Sequence, residues 1–123
     1  MDKETVNFIL NVLRRESTKW SGRRNCLKKS RKKVQEKCPK TEKIKTKLYW
    51  QCAICLCWER DVANMEVDHI LEIGQFSGDL FKQIEVMFDE ENLQALCISC
   101  HAKKTATFNS SLIFKRKFVR EMD

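Results

Sequence analysis

Two cysteine pairs, Cys52-x-x-Cys55 and Cys97-x-x-Cys100, restrict this chain more than any other feature. A C-x-x-C turn presents two thiolates along one edge of a tetrahedron, so two such turns can close a four-cysteine zinc site. The 41 residues between the pairs exceed common zinc-finger spacing, so the metal would staple distant segments together. That suits a chain of 123 residues, which has little core to bury. Cys57 lies two residues beyond Cys55, on the same face if the segment is extended, and can then replace either thiol of its pair. It is assigned here as a bystander. Cys26 and Cys38 have no partner motif and read as core or surface thiols.

Seven cysteines favour metal binding over disulfides only in a reducing compartment. "MDKETVNFIL" has neither the apolar core nor the small-residue cleavage site of a signal peptide, and no run approaches the roughly 20 apolar residues of a membrane span. The expectation is a cytoplasmic protein without a membrane partner. Charge is unevenly spread: residues 1–50 hold 16 Lys and Arg against 5 Asp and Glu, and the remainder 8 against 12. A basic arm on a mildly acidic body is the footprint of a polyanion binder.

Val6, Ile9, Leu10 and Leu13 predict a helix over residues 4–16. A second helix is expected from Gly22 or Arg23 to about Lys37, ended by Pro39, with Ser21 as its cap. Residues 1–48 therefore read as a basic helical arm and 49–123 as the body. In the body, Met65–Ile70 and "NLQALC" read as strands, and Leu80, Phe81, Ile84, Met87 and Phe88 mark a short helix. Another helix starts near Ile98, and "LIFKRKFVREM" reads as a last, basic one. The two histidines, His69 and His101, each sit beside a further ligand type: Asp68 precedes one and Cys100 the other. A zinc staple draws the two neighbourhoods together. One carboxylate with one imidazole leaves open positions, as a catalytic metal requires.

"EVDHILEIG" followed by "NLQALCISCHAKKT" resembles the HNH endonuclease motif, over about residues 50–106. The small size and basic arm are most similar to the short HNH proteins of phages. The resemblance implies an α+β fold with a ββα-metal (His-Me finger) core, a structural zinc on Cys52, Cys55, Cys97 and Cys100, and a basic helical arm. It implies hydrolysis of DNA phosphodiester bonds, with His69 as general base and Asn92 orienting the loop that bears it. Asp68 and His101 would hold one divalent metal, Mg, Mn, Ni or Zn. The implied products carry a 5′ phosphate and a 3′ hydroxyl. Glu72 departs from the family, which often has a proline there. Arg23, Arg24, Lys28, Arg31, Lys32, Lys103 and Lys104 are the candidates for contact with DNA phosphates, which position a protein without reading sequence. By the phage resemblance, packaging proteins are further candidate partners. The alternative is a zinc-stapled nucleic-acid-binding module without catalysis.

Overall fold

Asp2 opens the first helix: its carboxylate accepts from the Thr5 N–H at 2.7 Å, and α1 runs Lys3–Glu16. In this computed structural model, which describes residues 1–108, Val6 and Leu10 on one face of α1 are buried. Ser17 closes the helix by donating to the Arg14 carbonyl, and the extended backbone of Trp20 starts a new direction. Trp20, not Ser21, is the cap residue of α2, Ser21–Ser30. The Trp20 ring covers Gly22 so closely that a Cβ there would meet it at 2.5 Å, and it meets Phe88 edge-on at 5.3 Å.

The expected continuation of α2 to Lys37 does not occur. Residues Arg31–Lys37 form strand β1, which pairs antiparallel with β2, Ile44–Gln51, from Arg31↔Trp50 to Lys37↔Ile44. As a helix this lysine-rich stretch would have crowded cations with almost no apolar stripe to bury. As a strand it gains a full ladder, and Glu36 accepts from both Lys47 and Tyr49. Pro39 belongs to the hairpin turn, where Glu42 takes φ 58°. The first 48 residues are thus two helices and a strand, and a boundary at 48/49 falls inside β2.

A two-residue strand β3, Trp58–Glu59, adds to β2 and completes a three-stranded sheet. The turn between them holds Cys52 and Cys55 and is closed by Cys52 N–H to Cys57 O at 2.9 Å. It places Leu56 at φ 63°, the left-handed region that a branched side chain disfavours. Next come β4, Met65–His69, the helix α3, Leu80–Met87, capped by Asp79, and β5, Leu93–Cys97. β4 and β5 pair antiparallel, with Met65 opposite Cys97 and His69 opposite Leu93. A last helix, α4, continues from residue 98 through 108. The expected basic helix in "LIFKRKFVREM" lies outside the described residues.

Two clusters fill the interior. Cys52, Met65, Ala95, Leu96, Cys97 and Cys100 form one, flanked by Leu27 and Trp50. Leu10, Ile73 and Met87 form the other, flanked by Leu13, Phe76 and Phe88. Phe81, expected on the packed face of α3, is instead 79% exposed.

Candidate active site and metal centre

The knuckle after β2 and the junction of β5 with α4 bring four thiols together. Cys52, Cys55, Cys97 and Cys100 each offer a sulfur within 4.8 Å of the others. Zinc–sulfur bonds of about 2.3 Å place tetrahedral sulfurs about 3.8 Å apart, and Cys55 Sγ to Cys97 Sγ is 3.8 Å. The donor set therefore fits zinc. Burial pushes the Cys52 thiol up, but N–H groups of Cys97, Cys55 and Ile54 outweigh it and bring it down to about 6. Cys100, hydrogen-bonded first to Cys97 and also buried, is pushed up to about 12. Protons shared this unequally among close thiols are what a divalent cation displaces. Cys57 also lies against Cys55 and Cys97, which raise its thiol to about 12, but it stands outside the four.

Beside this centre, Asp68, His69 and His101 line one cavity of about 690 Å³, together with Arg14, Arg23 and Glu72. The strand alternation places His69 inward, 7% exposed, while Asp68 is half-buried. His69 Nε2 lies 2.9 Å from the Met87 carbonyl. A carbonyl only accepts, so Nε2 carries the proton and Nδ1 keeps the lone pair. Asn92 fixes the chain just beyond: Oδ1 accepts from Leu71 N–H at 2.8 Å, and Nδ2 donates to the carbonyls of Leu71 and Val86. Its own carbonyl accepts from Ile70 N–H at 2.7 Å.

The basic residues divide. Arg24, Lys28, Lys32 and Lys103 are exposed, and Lys32 stands over the Trp58 ring at 5.9 Å. Arg31 and Lys32 lie on β1, so they do not share a helix face with Arg24 and Lys28. Arg23 is half-buried and internally bonded: Nη1 donates to Val67 O at 2.8 Å and Nε to Ser17 O at 3.0 Å. Burial lowers its guanidinium despite the nearby Asp68. Lys104 is likewise engaged, pairing with Asp68 at 2.6 Å and Glu72 at 2.9 Å and donating to the His69 carbonyl. Sequence reasoning missed Arg14, whose guanidinium donates to the carbonyl of Gly74 at φ 65°. Nothing local in the sequence marks a residue of α1 as part of this wall.

The β4–β5 pair running into α4, with four thiols clustered beside it and Asp68, His69 and His101 on one cavity, gives an α+β unit of the ββα type. Residues 52–107 match the family model described as HNH endonuclease, and the chain carries an HNH domain. No curated protein and no solved structure matches it.

Proposed function

We propose that this chain is a metal-dependent HNH endonuclease that hydrolyses DNA phosphodiester bonds. The observation that carries the reading is the convergence of Asp68, His69 and His101 on one cavity, with Arg14 and Arg23 in its wall. His69 Nδ1 takes a proton from water, while the Met87 carbonyl holds the ring in place. The water oxygen attacks phosphorus, the bond to the 3′ oxygen breaks, and that oxygen leaves to be protonated by solvent. Asp68 and His101 offer a carboxylate and an imidazole, a donor set suited to Mg, Mn, Ni or Zn. A divalent cation held by Asp68 and His101 would supply electrostatic stabilisation of the charge that develops in the reaction. Asn92 acts through the backbone by keeping Ile70 and Leu71 in register behind His69. Arg24, Lys28, Arg31, Lys32 and Lys103 supply phosphate contacts, so binding weakens with salt. Arg23 and Lys104 serve the site's internal bonding.

The test is plasmid nicking with added divalent metals, wild type beside His69→Ala, with zinc content checked in both. Relaxed or linear plasmid from wild type only, at equal zinc, supports the nuclease. DNA binding without cutting under every metal leaves the second reading, a zinc-stapled binding module. The engagement of Asp68 by Lys104 is the observation that favours that reading. Cutting by both proteins would remove His69 from the mechanism.

A further inference from the structure

The two faces of the β1–β2 ribbon are not alike. Directly paired residues of an antiparallel ladder share a face, and faces alternate along each strand. One face carries Lys32, Val34, Glu36, Lys45, Lys47 and Tyr49. It is largely occupied with itself: Glu36 holds Lys47 and Tyr49, and Lys32 lies over Trp58. The opposite face carries Arg31, Leu48 and Trp50 at its inner end, where Trp50 packs against the first cluster, and Lys33, Gln35, Lys37, Ile44 and Thr46 in its outer half, all five exposed. Among the described residues that outer half holds no acid on either strand; Glu59 stands at the inner end, opposite Trp50. Residues 31–51 as a whole hold 8 Lys and Arg against 2 Glu.

We propose that the outer half of this face is a docking surface for the major groove of duplex DNA. The proposal rests on the DNA-binding part of the reading above, and not on catalysis. A two-stranded ribbon is one of the two elements that the major groove of B-form DNA admits. The deep, narrow major groove of an RNA duplex does not admit it. Lys33 and Lys37 flank Gln35, which lies directly opposite Thr46. The pair of neutral side chains can hydrogen-bond to base edges, and the lysines supply charge to the floor and walls of the groove. An acidic protein partner would satisfy the lysines equally well but would leave Gln35 and Thr46 without a defined role.

The experiment measures anisotropy of a short labelled DNA duplex with the full-length, zinc-loaded protein, with no further divalent metal so that no cleavage intervenes. Two double variants are compared, Lys33→Ala with Lys37→Ala on the proposed face, and Lys45→Ala with Lys82→Ala, of which the first lies on the ribbon's other face and the second on α3. All four positions are exposed, and retained zinc reports folding. Loss of two groove contacts should weaken binding about tenfold or more and lower the salt slope by about 2, against about threefold or less for the other pair. Methylation of guanine N7, which projects into the major groove, should weaken wild-type binding, and an RNA duplex of the same sequence should compete poorly. Equal losses from the two pairs, indifference to N7 methylation, equal competition by RNA, or no DNA binding at all would each overturn the proposal. A protein that binds through the ribbon yet never nicks plasmid would sink the nuclease and leave the ribbon standing.

Discussion

The two ends of β4 are held by different chemistry. At its start, Met65 sits in a cluster in which three of the six buried residues are cysteines, with Cys55 alongside them. At its finish, His69 is bonded to Met87, which belongs to a cluster of hydrocarbon side chains from α1, α3 and the loop between β4 and α3. Thiols bury little apolar area, so the first end gains less from burial and carries instead a four-thiol set positioned to bind a metal ion. The second end depends on ordinary burial. The thiol end holds the start of β4 and of α4, and with the latter His101. The hydrocarbon end positions the imidazole of His69.

The contrast is broken most directly by removing zinc. Chelation, or Cys97→Ser, should abolish cooperative melting of the β4–β5–α4 unit, because structural zinc contributes about 10–16 kcal/mol of apparent binding energy in small domains. Near-UV circular dichroism and a thermal melt with and without chelator measure this, and an unchanged melt would mean that the thiols do not brace the fold. At the other end, Leu10 is 1% exposed, and Leu10→Ala should cost about 2–5 kcal/mol in a denaturant titration. Zinc stoichiometry should stay unchanged, and zinc loss would show that the two ends are one cooperative unit. The smallest effect is expected at Lys104, which lies between them. Burial opposes its charge, but Asp68 and Glu72 outweigh that and raise its pKa above 10.5. A raised value means that its contribution is complete below 10.5 and is lost only as pH climbs through the folded value. Between pH 7 and pH 9, by the same linkage, wild type and Lys104→Met should therefore keep a constant stability difference, of about 1 kcal/mol for a partly exposed pair.

What could be foreseen from sequence follows the same division. The cysteine pairs were legible because a tetrahedral ion dictates ligand type and spacing locally. β4 and β5 were legible from short apolar runs beside the motif, and α1 from its apolar period. β1 was not, because its lysines carry ordinary helix propensity and the strand exists only by pairing with Ile44–Gln51. The parts Arg14 and Arg23 play in the wall of the cavity were equally hidden. Each depends on a carbonyl far along the chain, Gly74 for one and Val67 for the other. The engagement of Lys104 by Glu72 arises at the position where this chain departs from the family's proline, and only the folded loop brings the two together.

Residues 52–107 are the portion that the family model matches, but they are not a portable module. Transplanted alone into another chain, they would take both ligand pairs and both histidines. They would leave behind Leu10 from the second cluster, the Asn7 side chain that accepts from Phe76 N–H, and the guanidiniums that tie Gly74 and Val67. A graft or minimal fragment meant to preserve this cavity has to begin at α1, so what can be moved between proteins is nearly twice as long as what a motif search recognises.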